Sequence, residues 1–305
     1  MIEFLLEPLE YEFFWHGLLA TLMVGASCGL IGALVILRGM SYVGHGLSHA
    51  AFGGAVVGFI LNLNFYAGAG AMGLLALLLI NRITRSGTIK LDAAIGIVTN
   101  AMFALGVAII SQVRAFSQSF EAALFGNILG ITERDLLLIG FVSLSTLATM
   151  FLMYRPLLFS TFDQEAARVF GIRTARVQLV FSLLLTLTII ASMNIVGVTM
   201  IAATLITPAA TARLMTDCFS RMLIYALIIG GITGIAGMYL SYIFNTASGA
   251  TIVLFGASLY CLSWLTNFLH DRYILQNHLD GKSDFVQTAQ HQAQHQSVER
   301  NEAGL

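Results

Sequence analysis

The constraint that dominates this chain is a succession of apolar runs, several of them about 20 residues long. That is the length an α-helix needs to cross a hydrocarbon core of about 30 Å. The runs fall at about 14–37, 42–61, 65–80, 93–111, 135–154, 177–195, 198–215, 222–244 and 251–268. Composition agrees: 57% of the residues are hydrophobic and 10% charged, where a soluble domain carries about 25% charged residues. The expected fold is an all-α polytopic membrane protein with eight to nine transmembrane helices. The count turns on 196–215, where Thr204, Thr207 and Pro208 predict a kinked or partial helix.

Basic residues favour the cytoplasmic side of a membrane. With the N-terminus outside, 13 of the 15 basic residues fall inside and only Arg114 and Arg134 fall outside. An outside N-terminus with a cytoplasmic C-terminus requires an odd number of crossings, which favours nine. Glu3, Glu7, Glu10 and Glu12 stand where a signal peptide would carry basic residues, so the first span is expected to act as its own insertion signal. Cys28, Cys218 and Cys261 have no paired spacing and read as small core residues. No basic stripe suggests nucleic acid. Glycines at four-residue spacing, Gly25 with Gly29 and Gly54 with Gly58, predict close helix crossings. The outer loop 112–134 holds "AALFGNIL", a candidate re-entrant or interfacial helix. Residues 1–268 read as the membrane domain, and 269–305 as a polar, disordered cytoplasmic tail.

Two histidines, His45 and His49, lie in "GHGLSHAAFGG" at the mouth of the second span. Residues four apart share one helical face. Two imidazoles so placed can share one divalent cation, or can each hydrogen-bond to backbone carbonyls. Ionisable groups at membrane depth are functional by default, which favours the metal. Zinc takes such nitrogens readily, and manganese or iron(II) accepts them mixed with oxygen. Asn100, mid-span beside Thr99, is a candidate oxygen ligand or an interhelical hydrogen-bonding group. His16 reads as interfacial, and Asp92 as a helix-capping carboxylate at the start of the fourth span.

The inner loop 155–176 contains "DQEAARVFG", a short amphipathic helix stopped by glycine. It is either a docking element or a solvated connector. Gly281-Lys282-Ser283 resembles the end of a phosphate-binding loop, but Gln276 stands where that pattern needs glycine. The chain therefore carries no nucleotide site of its own. His270, His278, His291 and His295 lie in the tail and read as tolerated polar residues. An ion-coupled secondary transporter would need acids deep in the membrane, and none of the 16 acidic residues sits mid-span. An intramembrane metalloenzyme would need a general base beside the histidines, and none is near in sequence.

Five blocks, "LRGMSYVGHGLSHAAFGG" at 37–54, "LDAAIGIV" at 91–98, "EAARVFG" at 165–171, "VGVTMIAATLITPAATAR" at 196–213 and "SGATIVL" at 248–254, resemble the permease subunits of zinc/manganese/iron ABC importers. The resemblance covers about residues 12–268 and implies a fold similar to type II ABC importer permeases. It implies a homodimer in the cell (inner) membrane, working with a separate cytoplasmic ATPase and an extracytoplasmic metal-binding protein. No permanently bound cofactor is implied, only the transported metal, with ATP handled by the partner. Asp163, Glu165, Ala166 and Gly171 would couple the chain to that ATPase. In the family motif an aspartate and a histidine stand four apart; here His49 keeps its place and His45 replaces the aspartate. Loss of that carboxylate leans the expected cargo towards zinc.

Overall fold

The computed structural model describes residues 7–85, 87, 89–111, 124–126, 128–270 and 272. Eleven α-helices carry the described chain. They are α1 (Glu12–Leu37), α2 (Val43–Ile60), α3 (Phe65–Arg85), α4 (Leu91–Ile110), α5 (Glu133–Leu152), α6 (Tyr154–Phe162) and α7 (Gln164–Val169). After them come α8 (Thr174–Val196), α9 (Ile201–Met215), α10 (Phe219–Phe244) and α11 (Ser248–His270). Eight are long and apolar enough to cross a membrane; α6, α7 and α9 are not.

The shortness of α9 resolves the ambiguity around 196–215. Its 15 residues rise about 22 Å, short of the roughly 30 Å of a hydrocarbon core. Yet α8 and α10 start at the same end of the bundle. α8 follows α7 directly, and Phe219 at the head of α10 packs its ring 5.4 Å from Tyr154 and 6.1 Å from Phe162, both on α6. α9 must therefore bring the chain back, as a ninth, foreshortened pass containing Pro208.

α1 is buried from Phe14 to Val35 along most of its faces and packs against α5, α8, α9 and α10. Between helices in lipid there is little hydrophobic driving force, so close packing of small residues must supply the contact. Both glycine pairs read from the sequence lie at such crossings. A Cβ placed on Gly25 would sit 2.2 Å from the Gly230 carbonyl oxygen, and one on Gly54 2.4 Å from that of Gly68. The first crossing joins α1 to α10 and the second joins α2 to α3.

Polar groups tie the helices together at two further places. At the end where α3 and α5 begin, the Tyr66 hydroxyl donates to Asp135, whose other oxygen accepts from the Thr132 amide at 3.0 Å and hydroxyl at 2.7 Å. Asn194 of α8 donates to the Tyr66 oxygen at 2.6 Å. At the opposite end, Arg38 caps α1 and reaches α6 and α8. Its Nε donates to Thr161 Oγ1 at 3.2 Å, and its terminal nitrogens donate to Gln178 Oε1 at 2.8 Å and Ser160 Oγ at 3.3 Å.

Of the three cysteines, Cys28 is buried, its Sγ 3.4 Å from Ser192 Oγ, as a small core residue should be. Cys218 and Cys261 are exposed; the first precedes α10 and the second lies on α11, so neither is a core residue of this chain. The candidate re-entrant segment "AALFGNIL" spans 122–129, of which 122, 123 and 127 lie outside the described residues and Ile128 opens a single turn of 3-10 helix, Ile128–Gly130. What is described of it, around Gly126, packs on the end of α8: a Cβ there would lie 2.2 Å from the Ile195 carbonyl oxygen.

The contacts divide the chain after Tyr260 into two units. The second, 261–305, is described only at 261–270 and 272, where Trp264 stacks on Phe268 at 5.6 Å and Arg272 lies 4.8 Å from the same ring. The histidines beyond His270 and the Gly281-Lys282-Ser283 triplet lie outside the described residues.

Candidate metal centre

α2 is unusually rich in glycine, and its glycines decide which face is free. Gly46 abuts Ile95 and Thr99 of α4, where an added Cβ would lie 2.6 Å and 2.9 Å from their side chains. Gly53 abuts Met102 of α4, 2.4 Å from its carbonyl oxygen on the same measure. Gly44 faces Ala202 and Leu205 of α9. Since 46 pairs with 95 and 99, and 53 with 102 and 106, α2 and α4 run parallel. With α4 and α9 seated on the glycines, His45 and His49 occupy the face left between them.

The two imidazoles point at each other. Nε2 of His49 lies 3.1 Å from Nε2 of His45, and the rings stand nearly perpendicular at 4.4 Å between centroids. They belong to a row of rings that begins at Tyr42, 5.6 Å from His45, and continues through Phe103, 4.6 Å from His49. A 3.1 Å separation suits one hydrogen bond between neutral rings. It also lies within a few tenths of an ångström of the roughly 3.3 Å between two nitrogens bound to one tetrahedral ion at 2.0–2.1 Å.

The other nitrogen of His49 is informative. Its Nδ1 is buried and has no hydrogen-bond partner. A histidine that holds a metal permanently almost always gives its second N–H to a carboxylate, carbonyl or water. Among the described residues no group of three or more His, Cys, Asp or Glu side chains converges on one point. The pair thus presents two facing nitrogens, with His49 lacking the second hydrogen bond that a permanently metal-bound histidine makes.

Beyond His45, towards the end at which α2 and α4 begin, an open cavity of about 450 Å³ is lined by Gly39, Ser41, Tyr42 and Asp92. Asp92 is not the cap of α4; Lys90 holds that position and makes no side-chain capping bond. The carboxylate sits in the first turn, favourable to the helix dipole, and opens onto the cavity. His16 lies near the start of α1, at the end of that helix away from Arg38. Asn100 is exposed, whereas its neighbour Thr99 is buried against α2 and bonds back to the Ile95 carbonyl at 2.7 Å.

The α6–α7 elbow is the second functional candidate. Asp163 caps α7, its Oδ1 accepting from the amides of Glu165 and Ala166, both at 2.9 Å. Gly171 ends the helix with φ +76°, and the next amide, Ile172, bonds back to the Ala167 carbonyl at 2.9 Å. A left-handed residue there is the usual glycine stop. Ala167 is fully buried, while Val169 is 86% and Phe170 72% exposed. Val169 and Phe170 thus place an exposed apolar surface at the end of this sharply bounded helix.

Comparison with known proteins decides the family. The family described as "ABC 3 transport family" matches residues 10–267. The manganese transport system membrane protein MntC of Halalkalibacterium halodurans is 39% identical over 256 residues, 84% of this chain and 88% of that protein. The chelated iron transport system membrane protein YfeC of Yersinia pestis is 35% identical, over 83% of this chain and 86% of that one. A solved structure, PsaBC from Streptococcus pneumoniae in complex with Fab, superposes with a TM-score of 0.79 at 35% identity, covering 87% of this chain and 95% of the other.

The chain belongs to the ABC 3 transport family.

As an ABC 3 permease chain it is a multi-pass membrane protein and a transport subunit, not itself an enzyme. The structure brings His45 and His49 together and leaves Asn100 exposed on α4. It gives Asp163 and Gly171 definite tasks as the start and stop of α7. Sequence reasoning missed Tyr42 and Phe103, which flank the pair, and Arg38. An arginine directly after an apolar run carried a signal, but it read only as an orientation marker.

Proposed function

We propose that this chain is the permease subunit of an ABC importer for a divalent transition metal. The observation that carries the reading is the facing pair of Nε2 atoms on α2, 3.1 Å apart with the buried Nδ1 of His49 unpartnered, in a chain of this family. The cation passes through a site that two imidazoles hold briefly. Transport needs binding strong enough to admit the ion and weak enough to release it, and a pair lacking that second hydrogen bond at His49 meets that need.

Two copies of residues 1–268 form the path, with 269–305 as a cytoplasmic tail. A separate cytoplasmic ATPase docks on the α6–α7 elbow through Asp163, Glu165, Ala166 and Gly171. An extracytoplasmic metal-binding protein delivers the ion, the N-terminus faces outward, and the C-terminus lies in the cytoplasm. The 13-to-2 division of basic residues supports that orientation.

The relatives' names weigh towards manganese or iron as cargo and give zinc no support. Two imidazoles in place of a mixed nitrogen and carboxylate set favour zinc, which keeps zinc as the second reading. Uptake by cells or proteoliposomes carrying the whole importer, measured in parallel for manganese, iron and zinc, tests both. Saturable manganese or iron uptake that disappears in the His45→Ala/His49→Ala double variant supports the first reading. Histidine-dependent uptake of zinc alone would replace it with the second, and unchanged uptake in the double variant would remove the site.

A further inference from the structure

The Arg38 junction plays no part in the site described above, and its composition is unusual. Arg38 is the C-cap of α1, yet all three acceptors it finds are neutral side chains on other helices: Ser160 and Thr161 of α6 and Gln178 of α8. Its guanidinium also lies 4.1 Å from the centroid of the Phe181 ring on α8. Among the described residues no carboxylate pairs with it, and burial pushes its pKa down to about 10, which leaves it charged at neutral pH. A planar fork with five donors can grip several helices at once. Among the described residues, the ordinary reason for a half-buried arginine, an ion pair, is missing.

Position supplies another reason. Thr161 is two residues before Asp163, which caps α7. On the other side of Arg38 the chain turns at Gly39 with φ +65°, enters α2 at Val43 and reaches His45 seven residues after the arginine. The side chain therefore closes a short route: α7, the end of α6, Arg38, the Gly39 turn, the histidine pair. A Cβ on Gly39 would meet nothing within 4 Å, so the glycine is required by the turn rather than by packing. Neutral acceptors suit a joint that shifts. They hold the cation by geometry and can be exchanged without separating opposite charges in a partly dry site.

We propose that Arg38 is the positioning residue that transmits movement of the α6–α7 elbow to the metal-holding turn of α2. This rests on the permease reading, in which that elbow receives the motor subunit. Arg38 touches no metal and acts through the Gly39 turn.

The test uses the full importer with its ATPase, reconstituted in proteoliposomes, and reads metal uptake, ATP hydrolysis and the amount of assembled complex on the same samples. Arg38→Gln and the milder Arg38→Lys are compared with Gln178→Leu, which leaves the cation and removes its shortest acceptor. The expected result is assembly close to wild type and uptake per ATP hydrolysed reduced about tenfold in Arg38→Gln, with Arg38→Lys and Gln178→Leu in between. Uptake, hydrolysis and assembly falling together in all three variants would make Arg38 a purely structural clamp and overturn the proposal. Wild-type uptake per ATP in Arg38→Gln would overturn it too. Failure of the permease reading is distinguishable, because then the unmodified chain would bind no ATPase and the wild-type control itself would show no ATP-dependent uptake.

Discussion

Two of the polar clusters in this apolar bundle, the Asp135 joint and the histidine pair, differ in how well they are satisfied. At the head of α5, Asp135 accepts from Tyr66, from the Thr132 amide and from the Thr132 hydroxyl, and Asn194 completes the set by donating to Tyr66. On α2, His45 and His49 have each other, and the inner nitrogen of His49 has nothing. Buried polar groups are normally paired, so the first cluster explains itself as a structural joint of three helices. The second is a deficit within the chain, and a deficit kept in a membrane helix points to a partner that comes and goes.

That contrast is broken most directly by removing each cluster. His45→Ala/His49→Ala should lower metal uptake at least about 100-fold, at or beyond the upper end of what loss of an outer-shell partner costs a metal site. His49→Leu should abolish uptake in the same way while leaving thermal stability unchanged or raised by about 1 kcal/mol, because an unpartnered buried nitrogen is replaced by carbon. Uptake assays paired with unfolding in detergent read both quantities. If His49→Leu unfolds the protein, the pair is structural after all.

Asp135→Ala should behave in the opposite sense. It strands Tyr66 and removes half of the reciprocal Thr132 cap, so stability should fall by about 2–3 kcal/mol. Uptake per folded molecule should change less than about twofold, since the site lies on other helices. A smaller effect is expected at the elbow. Gly171→Ala puts a side chain at φ +76° and should cost about 1–2 kcal/mol locally. It should loosen the end of α7, visible as weaker co-purification of the ATPase with little change in the melting temperature of the bundle.

What the sequence made legible follows from which interactions are local. Span lengths, the Gly171 stop and the face shared by His45 and His49 all depend on residues within a turn or two of one another. The Tyr66–Asp135–Asn194 joint could not be read, because its members are 69 and 59 residues apart and meet only when three helix ends converge. The same holds for Arg38, whose acceptors lie 122 to 140 residues away. Asp92 shows a subtler limit: a carboxylate near a helix start suggests a cap, but the cap falls two residues earlier, at Lys90, and leaves Asp92 inside the first turn. Thr99 and Asn100 show the same limit as a rotation. Both are polar and mid-span, and only the seating of Gly46 on α4 decides that Thr99 faces α2.

Asn100 gives the smallest and most diagnostic prediction. An amide left facing hydrocarbon is costly, yet Asn100 is exposed in the single chain. Either a second copy of the chain covers that face of α4, or the amide lines the path. The first case follows from the homodimer proposed above and requires only an interhelical hydrogen bond. Such bonds are worth about 0.6 kcal/mol on average in a membrane, with a maximum near 1.7. Asn100→Ala should then weaken self-association in detergent about threefold and change metal uptake less than about twofold, far from the loss expected of the histidines. If uptake in Asn100→Ala instead collapses as it does in His45→Ala/His49→Ala while self-association holds, the amide oxygen is the third ligand that α2 lacks. The site would then be completed from the exposed side of α4.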